Sequence, residues 1–350
     1  MKLIQFATIS IKLARIFVKI MESEPKPQCN CFGEYQEEDT GRRPNTYVGV
    51  LDVLDTKKRV IDTSVPLNSG TSMPVIGLGT YLVTENQIYD VLDEGLKAGY
   101  RHIDTAAVYH NEEAIGVALK DLLPKYNLRR EDIFITTKLS PQDLSEQRAR
   151  VAINKSLALL GVSYLDLYLI HWPGAQGVQA NSPDNARLRI DAWKTMIQAH
   201  DRGRGALRAI GVSNFTPKHL EQIIKATGVA PAVNQVEFHP HFRQPDEMYV
   251  VCQKHRILLQ AYSSLGGNKN MKLLTEPAVR EAAAEHQVSA AQVLLRWALQ
   301  VGYAVIPKSV TPDYIRSNTQ LDFVLSSEEI YNISLLCRQE KYAWDPSTIF

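Results

Sequence analysis

Strand-like apolar stretches alternate with helix-like segments along most of the chain from residue 75 onward. The later strand-like stretches occupy 133–139, 165–172, 206–214, 232–238, 257–265 and 303–309. Several of them are apolar without alternation, which is typical of parallel strands covered on both faces. The segments between them have helical spacing, as Ile88, Val91, Leu92 and Leu96 do ahead of Gly99. The pattern therefore predicts strands and helices in regular alternation.

The number of strand–helix units predicts the fold class. Together with stretches at 75–79 and 99–105, about eight units lie in roughly 280 residues, the size and order of an α/β (β/α)8 TIM barrel. A doubly wound open sheet is the alternative. It is disfavoured because Gly77-Leu78-Gly79 continues without the third glycine of a dinucleotide-binding turn. A hairpin around Asn68 to Gly70 is expected to form an N-terminal β-hairpin cap.

The first 63 residues lack this regularity. The stretch 22–63 is polar and punctuated by proline and glycine, so we predict a mostly disordered extension at 1–63 and a barrel domain at 64–350. One short strand is considered at 47–54. Basic residues interrupt the apolar start at 1–21, which argues against a transmembrane helix. A mitochondrial presequence and a membrane-surface helix are alternatives to a dispensable extension, which we favour.

Composition and charge narrow the function classes. The chain has 350 residues, 45% of them apolar, and a formal net charge of +1. This balance gives no reason to expect nucleic acid or an acidic membrane as a partner. Cys29, Cys31, Cys252 and Cys337 form neither a disulfide framework nor a complete zinc site. We predict a monomer in a reducing compartment, the cytoplasm.

In a barrel, catalytic groups belong at the C-terminal ends of the strands. Nearly every predicted strand ends in polar residues that could take part in chemistry. They are Asp104 and Tyr109, Lys138, His171, Ser213 and Asn214, Gln235 to Glu237, Tyr262 and Ser263, and Lys308 and Ser309. Each has an ordinary structural explanation, such as a helix cap or a satisfied core histidine. Their convergence on one mouth favours a functional site.

Four of these residues form a specific combination. A tyrosine has an unperturbed pKa of about 10, so proton transfer by Tyr109 at neutral pH requires a nearby cation, which Lys138 could supply. A buried lysine needs a carboxylate, here Asp104, and His171 could donate a hydrogen bond to a carbonyl oxygen. The carbonyl carbon is then attacked either by Lys138, as in a Schiff-base lyase, or by hydride from a bound donor.

Three longer motifs carry a family resemblance. They are GYRHIDTAAVYHNE at 99–112, LDLYLIHWP together with AIGVSNF, and IPKSVTPDYIRSN at 306–318. The chain from about Val65 to Phe350 thereby resembles the aldo-keto reductases, which are NAD(P)(H)-dependent oxidoreductases on a (β/α)8 barrel. The spacing of Asp104, Tyr109, Lys138 and His171 is similar to the catalytic tetrad of that family.

The resemblance implies a role for each position. Tyr109 would be the general acid, Lys138 would lower its pKa, Asp104 would hold Lys138, and His171 would orient the carbonyl of an aldehyde or ketone. The cofactor NADPH would be bound by Gly79, Thr80, Ser213, Asn214, Gln235, Tyr262, Ser263, Leu265, Lys308, Ser309, Tyr314 and Asn318. The substrate would be bound by Tyr81, Tyr109, His171 and Trp172.

The chain departs from the family pattern at the adenosine end of the cofactor site. The family commonly has arginine six residues after the lysine of the IPKS motif, and Tyr314 stands there. Tyrosine can stack but brings no charge, so NADPH remains the predicted cofactor with NADH as an alternative. The short C-terminus after Cys337 implies an open pocket for varied small aldehydes and ketones.

Two other functions and one metal site are weighed against the reductase. Lys138 could serve a Schiff-base lyase, and the barrel could be a low-turnover NADP(H)-binding regulator. Borohydride trapping on Lys138 would favour the lyase, and cofactor binding without turnover would favour the regulator. His239 and His241 lie two residues apart but have no third ligand at suitable spacing, so we favour a structural role and predict no metal.

Overall fold

The computed structural model describes residues 50–54, 58–200, 205–267 and 272–350. Two strands form an antiparallel hairpin, and eight further strands pair in parallel in the order of the chain. The hairpin strands are β1 (Ser64–Pro66) and β2 (Ser72–Pro74). The parallel strands are β3 (Leu78–Gly79), β4 (His102–Asp104), β5 (Phe134–Leu139), β6 (Leu167–Ile170), β7 (Ile210–Ser213), β8 (Val233–Glu237), β9 (Leu258–Tyr262) and β10 (Ala304–Val305).

Hydrogen bonds join the last parallel strand to the start of the first, so the sheet closes. Ile76 pairs in parallel with Val305, and the Gly77 amide donates to the Val305 carbonyl oxygen at 2.8 Å. The Gly79 amide donates to the Pro307 carbonyl oxygen at 3.0 Å in the same ladder. This closure and the strand order confirm the predicted (β/α)8 barrel.

Helices surround the barrel because their apolar faces pack on the outer side of the strands. Capping boxes begin several of them, including those that follow Thr84 and Ser289, and Gly99 in left-handed conformation ends the helix that follows Thr84. The α-helices are α1 (Val50–Val53), α2 (Glu85–Ala98), α3 (Glu112–Lys125), α4 (Glu146–Leu160), α5 (Asp184–Ala199), α6 (Pro217–Thr227), α7 (Asp246–His255), α8 (Lys272–Thr275), α9 (Pro277–Glu285), α10 (Ala290–Gln300), α11 (Pro312–Ser317) and α12 (Ser327–Ser334).

The hairpin β1–β2 packs at the N-terminal end of the barrel, as predicted for a cap. Val65 and Met73 are fully buried, and the Asn68 side-chain amide donates to the Pro231 carbonyl oxygen ahead of β8 at 2.8 Å. The opposite, C-terminal end is therefore left for chemistry.

Ordered structure begins before the boundary expected at residue 63. The chain at Val50–Val53 is helical, so the strand considered at 47–54 is wrong there, and residues 47–49 lie outside the described residues. A 3-10 turn at Val60–Asp62 also packs on the barrel, where the Val60 amide donates to Asp322 Oδ1 at 2.7 Å. Burial of apolar side chains such as Ile61 stabilises these two short segments of the extension that was predicted to be mostly disordered. Residues 1–49 lie outside the described residues.

None of the helices in the described residues is long and apolar enough to cross a membrane.

Candidate active site

An ion pair lies inside the barrel near the C-terminal ends of β4 and β5. Lys138 Nζ is 2.5 Å from Asp104 Oδ1 and donates a second hydrogen bond to the Thr105 carbonyl oxygen at 2.9 Å. The Lys138 side chain is 0% exposed and that of Asp104 is 3% exposed. An ammonium group so fully removed from water requires a carboxylate at this distance. The predicted partnership of Lys138 and Asp104 is thus present.

Tyr109 and His171 lie beside this pair. Lys138 Nζ is 5.1 Å from the centroid of the Tyr109 ring, and the ring of His171 meets the Tyr109 ring edge-on at 5.6 Å between centroids. Tyr109 ends a 3-10 turn after β4, and His110 in left-handed conformation follows it. The structure therefore brings together all four residues that the sequence singled out for catalysis.

The electrostatics of the site favour a protonated phenol and a neutral imidazole. Burial, and after it the charge of Asp104, raises the pKa of Tyr109 well above its ordinary value. Burial, together with the charge of Lys138, lowers the pKa of His171 to about 3. The pKa of Tyr109 is thus raised, whereas Lys138 was expected to lower it. The reason is that Asp104 offsets the lysine charge while burial disfavours the phenolate.

The predicted nicotinamide-binding residues form one hydrogen-bonded network at the mouth. The Tyr262 hydroxyl donates to Asn214 Oδ1 at 2.6 Å, and Asn214 Nδ2 donates to the His171 carbonyl oxygen at 2.9 Å. The Ser213 hydroxyl donates to the Gln235 carbonyl oxygen at 2.9 Å. These side chains are thus fixed relative to His171 by bonds within the protein.

Gly79 and Thr80 have clear structural roles at the barrel closure. A Cβ on Gly79 would lie 2.9 Å from the Ile306 carbonyl oxygen, so no larger residue fits without a shift. The Thr80 hydroxyl donates to the Asp104 carbonyl oxygen at 3.0 Å and thereby supports the end of β4. Cofactor binding by these two positions remains a prediction.

The remaining cofactor positions follow β9 and β10. Ser263 has left-handed backbone conformation directly after Tyr262, and Leu265 follows at the same strand end. After β10, burial lowers the pKa of Lys308, and Ser309 Oγ accepts from the Thr311 amide at 3.0 Å. Tyr314 is 64% exposed, and Asn318 is buried at the end of α11. The tyrosine is therefore accessible to a ligand, although it brings no charge.

Aromatic residues adjoin the tetrad where a substrate is expected. The Tyr81 ring lies 5.1 Å from the Tyr109 ring, tilted by 56°, and Tyr81 is 47% exposed. Trp172 directly follows His171 and is half-buried. These two side chains give the mouth an apolar rim next to the phenol.

Two interior contacts, one to the tetrad and one on the same face of β4, were not predicted from the sequence. Gln235 Nε2 donates to Asp104 Oδ2 at 2.7 Å, so Asp104 is held on both oxygens. His102, two residues before Asp104 and on the same face of β4, is hydrogen-bonded to Thr136 Oγ1 at 2.9 Å. In the sequence, such interior contacts are indicated by a polar residue within an otherwise apolar strand.

A buried carboxylate at the end of β8 holds the C-terminal segment. Glu237 accepts from Lys341 Nζ at 2.7 Å and from the Ala343 amide at 3.2 Å, and His239 Nε2 lies 3.1 Å from Glu237 Oε1. His241 Nε2 lies 2.8 Å from a carboxylate oxygen of Glu276. Each of the two histidines weighed as metal ligands thus contacts a carboxylate of the protein. The sequence did not predict this attachment.

Comparison with known proteins assigns this geometry to a family. A model of the aldo/keto reductase family matches residues 75–336, which span the barrel strands from β3 to β10 and the four residues of the tetrad. The chain belongs to the aldo/keto reductase family. It is therefore an oxidoreductase, in agreement with the resemblance of the three sequence motifs.

Individual aldo/keto reductases are similar over nearly their whole length. An aldo-keto reductase of Mycolicibacterium smegmatis is 42% identical over 285 residues, covering 81% of this chain and 97% of that protein. Glyoxal reductase of Bacillus subtilis is 38% identical, covering 82% and 97%. The structure of a Bombyx mori aldo-keto reductase in complex with NADP has a TM-score of 0.72 and 30% identity, covering 80% of this chain and 94% of that one.

We predict that Glu237→Gln loosens the C-terminal segment 338–350 of this aldo/keto reductase. An amide has one acceptor oxygen and cannot serve the several donors that the carboxylate accepts. Hydrogen exchange of peptides from 338–350, followed by mass spectrometry, should accelerate by about tenfold or more. Glu340→Gln is the control, because the Glu340 carboxylate pairs at the surface with Lys272. Equal exchange in Glu237→Gln and wild type would contradict the assignment.

The same segment should loosen in wild-type protein at acid pH. Burial raises the pKa of Glu237, but hydrogen bonds from His239 and Lys341 outweigh it and leave the pKa below its ordinary value. A carboxyl group with a depressed folded-state pKa contributes stability above its unfolded-state pKa, and that stability is lost as the pH falls through the folded-state value. Exchange should therefore accelerate below about pH 4.

Proposed function

We propose that the protein reduces aldehydes and ketones to alcohols with NADPH. The observation that carries this proposal is the convergence of Tyr109, Lys138, Asp104 and His171 at one barrel mouth. A protonated phenol next to a neutral imidazole is the arrangement needed to bind a carbonyl oxygen and protonate it. The similarity to glyoxal reductase supports small carbonyl compounds as substrates.

In the proposed reaction, the substrate oxygen lies between the Tyr109 hydroxyl and the imidazole of His171. His171, neutral because of its lowered pKa, donates a hydrogen bond and orients the carbonyl. Bound NADPH would supply the hydride to the carbonyl carbon. The Tyr109 hydroxyl gives its proton to the oxygen, and the charge of Lys138 stabilises the phenolate that forms. Asp104 keeps Lys138 in place throughout.

The residues present fit a nicotinamide cofactor. His171 Nδ1 and Ser264 Oγ are buried and have no hydrogen-bond partner among the described residues, so the mouth retains unused polar atoms. The ring of Tyr262 is half-buried beside them and could carry the nicotinamide, while Lys308 and Ser309 could hold the adenosine end. The Bombyx mori relative in complex with NADP supports this choice.

The two alternative functions are less consistent with the geometry. A Schiff-base lyase would need the free amine of Lys138, which is fully buried and bonded to Asp104 and to the Thr105 carbonyl oxygen. A regulator with little turnover would not require the complete tetrad. Because all four catalytic groups come from one chain, we retain the prediction of an active monomer. The cytoplasm is retained as its predicted location.

The decisive variant is Tyr109→Phe, which removes the hydroxyl but keeps the ring. With a panel of aldehydes, ketones and dicarbonyls, wild-type protein should oxidise NADPH, and the variant should lose about 100-fold or more in kcat. Cofactor binding, measured by fluorescence quenching, should be retained. Tyr89→Phe is the control, since the Tyr89 hydroxyl bonds Asp121 on the outer helices. Undiminished turnover by Tyr109→Phe would refute the mechanism.

The choice between NADPH and NADH should depend on position 314. Tyr314→Arg places a guanidinium where the family commonly has one, and a charge-assisted bond to the 2′-phosphate should raise the NADPH-over-NADH ratio of kcat/KM by about tenfold, or roughly 1.4 kcal/mol. Tyr314→Leu is the matched control, because it removes stacking for both cofactors equally. An unchanged ratio in Tyr314→Arg would show that Tyr314 does not face the phosphate.

A further inference from the structure

A glutamine lies in the middle of the otherwise apolar strand β9. Gln260 is 0% exposed and stands in parallel register opposite Gln235 on β8 and Ala304 on β10. Burying a primary amide is unfavourable unless its polar atoms are hydrogen-bonded. An apolar residue would fill this position at lower cost, so the contacts of Gln260 must explain its presence.

The strong contact of Gln260 is with the side chain of Gln235. Gln235 Nε2 donates to Gln260 Oε1 at 2.8 Å and to Asp104 Oδ2 at 2.7 Å, which uses both of its hydrogens. On the other side, Gln260 Nε2 lies 3.9 Å from Met73 Sδ, and a thioether is a weak acceptor. Gln260 is thus anchored by the bond that it accepts from Gln235.

This contact fixes the side chain that holds Asp104. Four side chains are joined in sequence, from Gln260 through Gln235 and Asp104 to Lys138, with donor–acceptor distances of 2.8, 2.7 and 2.5 Å. Without the acceptor of Gln260, one N–H of Gln235 would be buried and unsatisfied. The Gln235 side chain would then move to find a new acceptor, and Asp104 Oδ2 would lose its donor.

We propose that Gln260 is a positioning residue for the reaction, which keeps Gln235 on Asp104 and thereby keeps the Asp104–Lys138 pair aligned with Tyr109. The inference rests on the proposed function, because the alignment with Tyr109 matters for the rate only if Tyr109 takes part in the proposed reaction. It assigns a role to a residue that contacts neither the substrate nor the cofactor and that lies one layer below the mouth of the barrel.

The test is Gln260→Met, which preserves side-chain volume and removes the acceptor. The kcat for aldehyde reduction should fall by about tenfold, which is roughly 1.4 kcal/mol. The midpoint of thermal unfolding should stay within a few degrees of wild type, because the variant also removes a buried amide.

Two further variants separate positioning from packing. Gln260→Glu keeps an acceptor oxygen at the same place, and a carboxyl group buried near Asp104 is expected to stay protonated, so kcat should recover to within about twofold of wild type. Met73→Leu changes the other neighbour of Gln260 and should leave kcat unchanged. Loss of kcat in all three variants would assign Gln260 to packing and overturn the proposal.

A magnetic resonance measurement on the side chain of Gln235 tests the proposal without relying on turnover. In apoprotein labelled with 15N-glutamine, both side-chain amide protons of Gln235 should be shifted and protected in wild type and Gln260→Glu. One of them should lose protection in Gln260→Met. Wild-type kcat or unchanged Gln235 resonances in Gln260→Met would refute the positioning role. If wild-type protein itself failed to oxidise NADPH with any carbonyl compound, the proposed function would fail, whereas the resonances would still report the hydrogen-bonded chain.

Discussion

A lysine without access to water, 2.5 Å from a carboxylate, is the constraint on which the rest of the site depends. A buried pair of this kind is stable only when the remaining hydrogen-bonding atoms of both groups are also satisfied. The Thr105 carbonyl oxygen accepts from Lys138, and Gln235 donates to the second oxygen of Asp104. These hydrogen bonds inside the barrel therefore stabilise the ion pair near the C-terminal ends of the strands. The apolar core around the strands supplies the stability that this arrangement requires.

The closed barrel is what brings these groups together. Parallel pairing in chain order places Asp104 and Lys138 on neighbouring strands, and closure brings β8 with Gln235 across the interior to Asp104. Tyr109, the proposed proton donor, lies in a turn outside the strands and contacts His171 as well as Lys138. Rigid strands thus hold the charges, while the loops after them form the surface that meets a ligand.

Much of this arrangement could be predicted because strand ends are visible as polar residues after apolar runs. That reasoning singled out Asp104, Tyr109, Lys138 and His171, while the turn signal at Asn68 to Gly70 predicted the hairpin cap. It did not find the contact from Gln235 to Asp104, because the two residues are 131 positions apart and their distance depends on the curvature of the sheet. It also did not anticipate that burial raises the pKa of Tyr109, since burial cannot be judged from spacing. The helix at Val50–Val53 was missed because a few apolar residues in a polar stretch carry no periodicity.

On the proposed mechanism, the Lys138–Asp104 pair is retained for chemistry although its burial costs stability. The measurement that tests it is the free energy of unfolding, together with turnover, of Lys138→Met, Asp104→Leu and the double variant. Each single variant should be destabilised by about 3 kcal/mol or more, because it leaves an unpaired buried charge. The double variant should regain most of that stability and remain inactive. Single variants as stable as wild type, or turnover by the double variant, would contradict this role of the pair.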